Sequence, residues 1–218
     1  MNGQTISLLG TQVDPETDAV TVDGVQVHLA EKRTLLLHKP AGFITTCSDP
    51  NARDTVMRLV PAVPGLHPIG RLDKDTTGLL LFTNDGALTF ALTHPKHVVE
   101  KTYHAWVEGV PDDAALARLR TGIELADGPT APAEVRRLHT RNGRTEVELV
   151  IHEGRKRQVR RMLFAVGFPV VGLARVRVGP LTLGDLPEGR WRDLSAEEVA
   201  TLYRAAGVEN STVQRAGE

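Results

Sequence analysis

What this sequence lacks narrows it first. Cysteine occurs once, at Cys47, in 218 residues, which excludes an internal disulfide and a multi-thiolate zinc site. The longest uncharged stretch, Met162 to Ala174, is broken by Gly167 and Pro169 and falls short of the roughly 20 residues a bilayer span needs. The amino-terminal run MNGQTISLLG has neither the basic nor the apolar region of a secretory signal. A cytoplasmic protein without a membrane partner is the expectation. Aromatic residues make up 4% of the chain, too few for a stacking platform along a long single strand of nucleic acid. There is no phosphate-binding P-loop, no dinucleotide glycine fingerprint and no HExxH. His94 and His97 stand three apart, but no third ligand lies at a metal-binding spacing. Neither a cofactor nor a metal is expected.

What is present is an ordinary globular composition, 41% apolar and 24% charged, long enough for one large domain or two small ones. The net charge of −1 hides a segregation. From Glu134 to Val178 eleven Arg and Lys face four Glu, so one face can meet a polyanion while the whole stays near neutral.

Residues 1–33 form a polar lead-in whose valines alternate around Asp23-Gly24, a small hairpin. Thr34–His38 and Leu79–Phe82 read as buried strands, the second closed by an Asp85-Gly86 turn. Lys101–Glu108 alternates with period two. Asp112–Leu119 is helical, with aspartates at its start. Val135–Leu138 and Thr145–His152 are strands joined across Asn142-Gly143. Val159, Met162, Leu163 and Val166 then share one helix face that Gly167 ends. Ala174–Leu183 is a further strand, and Ser195 opens a last helix to about Ala206 through a capping box. Strands outnumber helices and hairpins recur, so the class is α+β with a mixed, mainly antiparallel sheet and flanking helices. Residues 207–218 read as a disordered tail.

Two segments could carry chemistry. The glycine-bounded loop Gly70–Gly78 offers Asp73 as a nucleophile or base, with Arg71 and Lys74 favouring its ionised form; Asp73 and Asp75 also suit plain turn positions. The run Glu153–Met162 places Arg155, Lys156, Arg157, Arg160 and Arg161 at a helix start, where phosphates or carboxylates are natural guests. Tyr103, one of two tyrosines, lies on a strand with the pattern of a core residue.

Asp73-Lys-Asp75-Thr-Thr77 fits the DxDx[TV] pattern of haloacid-dehalogenase-type phosphatases, though Pro68–Leu72 makes a poor strand ahead of it. A broader resemblance rests on three motifs in order: GRLDKDTTGLLLFTNDG, KTYHAWVEG and EGRKRQVRRM. With LLLHKPAGFITT before them and AVGFPVVGLARVRVGPLTLGDLPEGRWRDLS after, they resemble the ribosomal RNA pseudouridine synthases of bacteria, the RsuA-like family, over residues 34 to about 204. The resemblance implies a pseudouridine synthase fold with a catalytic cleft across the sheet. It implies a catalytic domain at 34–206, in two parts of about 34–98 and 99–206, behind an extension similar to the end of an S4 RNA-binding module. It implies site-specific isomerisation of uridine in ribosomal RNA, without cofactor; a monomer is expected because nothing in the sequence suggests a large apolar interface. Asp73 then maps to the catalytic carboxylate, Tyr103 to the group that stacks on the base and helps remove the C5 proton, and Arg160 to the partner that pairs with Asp73. Lys39, Arg71, Arg155, Lys156, Arg157 and Arg161 become RNA contacts. A silent RNA-binding or ribosome-assembly factor on the same fold, and the phosphatase, are the alternatives.

Overall fold

The computed structural model describes residues 1–14, 17–27, 30–51 and 54–208; most of the expected tail lies outside them. The chain divides into two compact units, Met1–Lys32 and Arg33–Glu218. In the first, β1 (Thr21–Val22) pairs antiparallel with β2 (Val25–Gln26). Asp23 and Gly24 both take positive φ, 50° and 79°, the turn a right-twisted hairpin favours. Val22 and Val25 are exposed.

The second unit runs β3 (Thr34–Lys39), a short 3-10 turn at Val56–Leu59, β4 (His67–Ile69), β5 (Thr77–Thr83), α1 (Gly86–Thr93), β6 (Lys101–Glu108), α2 (Asp113–Thr121), β7 (Glu124–Leu125), β8 (Gly128–Pro129), β9 (Glu134–Arg141), β10 (Arg144–Ile151), α3 (Gln158–Ala165), β11 (Val170–Val178), β12 (Leu181–Thr182), β13 (Trp191–Asp193) and α4 (Ala196–Ala205). The main sheet has the order β13-β3-β5-β11-β6-β10-β9, with β4 beside β5 and β12 beside β11. Among the described residues its only parallel pairing is β5 with β11; the other pairs are antiparallel. The architecture is the expected α+β.

The apolar runs of β3 and β5 follow from burial on both faces. Leu36, Leu79 and Leu81 pack with Leu88 and Leu92 of α1 and Leu202 of α4. Leu35, Leu37, Leu80 and Phe82 pack on the other side with Val56, Leu66 and Leu72. Strand β10 alternates because only one face is covered. Val147, Leu149 and Ile151 join Val159, Met162 and Leu163 of α3 in a separate core, while Glu146 and Glu148 meet His104 on the open face at 3.0 and 3.2 Å. Asn142 and Gly143, φ 51° and 72°, close the β9–β10 hairpin as the Asn-Gly pair demands.

Two local readings need correction. Asp85-Gly86 does not simply end a strand. The Asp85 carboxylate accepts from the Ala87 N–H and caps α1, and it also accepts from the Tyr203 hydroxyl of α4 at 2.9 Å. Strand β11 begins at Val170, ahead of the expected Ala174, and stops at Val178 because Gly179, at φ 52°, turns the chain back into β12.

The single parallel contact is tight. Gly78 has φ 104°, and a Cβ there would lie 2.2 Å from the Arg175 carbonyl oxygen. Gly78→Ala should therefore destabilise by about 2–4 kcal/mol, combining backbone strain with a steric clash that two backbones must relieve. Gly42, φ 94° with open space around it, is the control and should lose only the strain. Urea midpoints check this; equal losses at the two glycines would refute the close-approach account.

Candidate active site

Between β4 and β5 the loop 70–76 is held by its backbone. The Thr45 hydroxyl donates to the Leu72 carbonyl at 2.8 Å and accepts from the Leu72 N–H at 3.3 Å. The Gly42 N–H donates to the Lys74 carbonyl at 2.8 Å, and the Thr76 N–H to the Asp73 carbonyl at 3.1 Å. The Lys39 ammonium, fully buried at the end of β3, donates to the carbonyls of Pro40 and Thr76 at 2.9 Å each and of Lys74 at 3.4 Å. Burial pushes this amine down to about 8, against the pull of the Asp75 and Asp73 charges. Asp73 thus sits half-buried between pinned neighbours. Among the described residues nothing hydrogen-bonds its carboxylate.

The loop forms one wall of a cleft of about 1110 Å³. Asp73 and Tyr103 both line it, together with Arg71, Lys101, Arg155 to Arg157 and Arg175. Tyr103 is only partly buried; it packs against the core around β10 and also against the core around β3. The expected core tyrosine is therefore a cleft residue at the meeting of two cores.

Arg160 requires a correction. Its guanidinium pairs with Asp75, not Asp73: Nη2 lies 3.3 Å from the Asp75 carboxylate and donates to the Asp75 carbonyl at 3.0 Å, while Nη1 donates to Val170 O at 3.3 Å. Asp75 also takes Arg157 through both carboxylate oxygens, at 2.9 and 3.1 Å. Burial opposes ionisation of Asp75, but the Arg157 hydrogen bonds and the Arg160 charge outweigh it and hold the carboxyl below its ordinary range. Helix α3 makes this possible. Arg157 sits just before it in the left-handed region, φ 51°, and Arg160 follows one turn later, so both point at one loop residue.

The cations expected to touch RNA divide into two groups. Lys39 cannot, because its amine is enclosed and committed to three carbonyls. Arg155 donates to Gly128 O, Pro129 O and Glu153, and Arg161 grips Asp127 at 2.7 and 3.0 Å. Arg71 and Lys156 are exposed and have no partner among the described residues. The sequence reading missed Lys101 and Arg175. Arg175 is 4% exposed and donates through Nε to Leu79 O at 2.8 Å. Burial, with Arg175 nearby, pushes the Lys101 ammonium down to about 8. Their only sequence signal is charge at alternate positions of two apolar strands. The phosphatase pattern fails structurally, since Asp73 follows a three-residue antiparallel strand and not a buried parallel one.

Lys39→Met should cost about 2–4 kcal/mol by leaving buried carbonyls unsatisfied. It should also flatten stability against pH. The native Lys39 amine loses its proton near 8 and the unfolded one near 10.5, so between these values the unfolded chain holds more protons and stability rises with pH. Urea unfolding at pH 7.5 and 9.5 reads both effects; an unaltered slope in the variant would place the titration elsewhere.

Comparison with known proteins shows the family. The family model for RNA pseudouridylate synthase matches residues 33–165. An uncharacterized RNA pseudouridine synthase of Aquifex aeolicus is 41% identical over 211 residues, covering 96% of this chain and 85% of that protein. The ribosomal large subunit pseudouridine synthase B of Bacillus subtilis is 41% identical over 209 residues, covering 94% and 85%. A crystal structure of a pseudouridylate synthase superposes with a TM-score of 0.72 at 34% identity, over 92% of this chain and 86% of the other. The chain belongs to the RNA pseudouridine synthase family.

Proposed function

We propose that this chain isomerises a specific uridine of ribosomal RNA to pseudouridine, with Asp73 as the catalytic carboxylate and no cofactor. The observation that carries the reading is a carboxylate with no hydrogen-bond partner among the described residues, in a loop pinned through its backbone and in a cleft shared with Tyr103 and several cations. The name of the Bacillus subtilis relative supports ribosomal RNA as the substrate.

A base must leave its stack to reach such a cleft. The Asp73 carboxylate then faces the nucleoside as nucleophile or base. The N1–C1′ bond breaks, the uracil turns, and C5 bonds to C1′. One proton leaves C5 and one is taken up at N1, so the product is an isomer and no electrons are exchanged. Tyr103 offers a ring face to the uracil and a phenol to the departing proton. Arg160 acts through Asp75 as a positioning residue for the loop. Arg71 and Lys156, exposed at the rim, meet phosphates.

Asp73→Asn should lower tritium release from 5-³H-uridine ribosomal RNA by at least about a thousandfold while RNA affinity stays within a few-fold. Retained turnover would remove Asp73 from the chemistry. Charge reversals Arg71→Glu and Lys156→Glu should weaken RNA binding and reduce the slope of log affinity against log salt by about one per lost phosphate contact. Filter binding from 50 to 300 mM salt, on the order of the usual range, measures it; unchanged slopes would move the docking face elsewhere.

A further inference from the structure

At the carboxyl end of α1 a row of rings crosses the rim of the cleft and takes no part in the chemistry above. Phe90 is 49% exposed although Leu88, Ala91 and Leu92 around it are buried. Its ring centroid lies 4.6 Å from that of His94, tilted by 38°, and 5.9 Å from that of His97, edge-on at 81°. His94 and His97 both line the cleft that holds Asp73 and Tyr103.

The row is built to hold its shape. The His94 N–H donates to Phe90 O at 3.0 Å and the His97 N–H to His94 O at 2.9 Å. His94 Nδ1 accepts from the Lys96 N–H at 3.2 Å, which fixes the ring plane and leaves the proton of the neutral imidazole on Nε2. His97 Nε2 is shut off from solvent and has no partner among the described residues; the ring is placed for its faces and edges, not for a hydrogen bond. Lys96 is exposed, and its ammonium lies 5.1 Å from the Phe90 ring centroid, where it covers an aromatic face in the free protein.

We infer that Phe90, His94 and His97 form a ledge for one unpaired nucleobase of the substrate RNA, next in the strand to the uridine in the cleft, and that Lys96 moves from the Phe90 face to that nucleotide's phosphate. The inference rests on the pseudouridine synthase reading, because a uridine drawn into the cleft leaves a neighbour that has lost its stacking partner. Fixed rings at the cleft mouth supply a replacement. A ring face accepts any base, so the ledge adds affinity and not sequence choice. The surrounding cations of the cleft, Lys101 and Arg71 among them, favour a polyanion over a protein loop as the guest.

The test uses the full chain and 5-³H-uridine ribosomal RNA from a strain lacking the gene. Phe90→Ala and His94→Ala should each raise KM about five- to hundredfold with kcat within about twofold and Tm unchanged, since both side chains are exposed. His94→Phe should restore KM, because it keeps the face and loses the hydrogen bonds. A second readout needs no turnover. In an Asp73→Asn background, a short single-stranded RNA carrying 2-aminopurine beside a uridine should lose fluorescence on binding, and His94→Ala should abolish that quenching. No tritium release by the unaltered chain overturns the enzyme reading itself. Release with KM unmoved in both alanine variants, or a His94→Phe variant as weak as His94→Ala, overturns the ledge alone. So does quenching that survives His94→Ala, which would place the base elsewhere.

Discussion

The Lys39 ammonium donates to the carbonyls of Pro40, Lys74 and Thr76, and the rest of the cleft leans on the loop that this fixes. A buried amine with no ion-paired carboxylate among the described residues is costly, and the cost is offset because it donates to the Pro40 and Thr76 carbonyls and shares the Lys74 carbonyl with the Gly42 N–H. The position of the amine follows from β3, whose leucines are buried on both faces and so carry the strand end under the loop. Thr45 fixes the same loop from its other side. Between these anchors the Asp73 carboxylate has no hydrogen-bond partner among the described residues, while the backbone on either side of it is held. A reacting group held in this way keeps its geometry without reorganisation at the moment of reaction.

Charge in the cleft is arranged in the same manner. Most of the arginines around α3 are already ion-paired: Arg157 and Arg160 with Asp75, Arg161 with Asp127, and Arg155 with Glu153 while it also donates to two carbonyls. They hold the wall together. Arg175 and Lys101, which also line the cleft, donate to carbonyls and have no carboxylate within ion-pair distance among the described residues. A chain of net charge −1 can therefore present a cleft lined by more cations than acids, because charge of the two signs is unevenly distributed along it.

Much of this was legible in the sequence where one periodicity dominated. The leucine runs of β3 and β5, the alternation of β6 and β10, the Asn-Gly hairpin and the capping box of α4 are each local signals, and each reappears in the structure. Helix α1 was not legible, since GALTFALT reads as well as a continuation of apolar core, and its cap Asp85 doubles as a turn residue. Asp73 and Tyr103, from two motifs distant in the chain, line one cleft. The partner of Arg160 did not follow from any motif. Asp73 and Asp75 stand two apart in one loop, and only the left-handed turn at Arg157 decides which of them the α3 arginines reach. Lys39 looked like a phosphate contact because residue type alone does not say which way a strand end faces.

The two halves of the sheet meet along a short seam. Strand β5 pairs with β11 through just Thr77↔Ala174 and Gly78↔Arg175, and the Arg175 guanidinium reinforces it by donating to Leu79 O. Across the same seam Asp75, on the β5 side, holds Arg157 and Arg160 on the α3 side. Tyr103 packs on both cores at this boundary. Two residues that line the cleft are thus delivered by different halves: Asp73 from the loop before β5, Tyr103 from β6. The missing side chain at Gly78 lets the two backbones approach this closely, since a Cβ there would lie 2.2 Å from the Arg175 carbonyl oxygen. Because the cleft is lined from both sides of the seam, neither half of the sequence carries the whole of it.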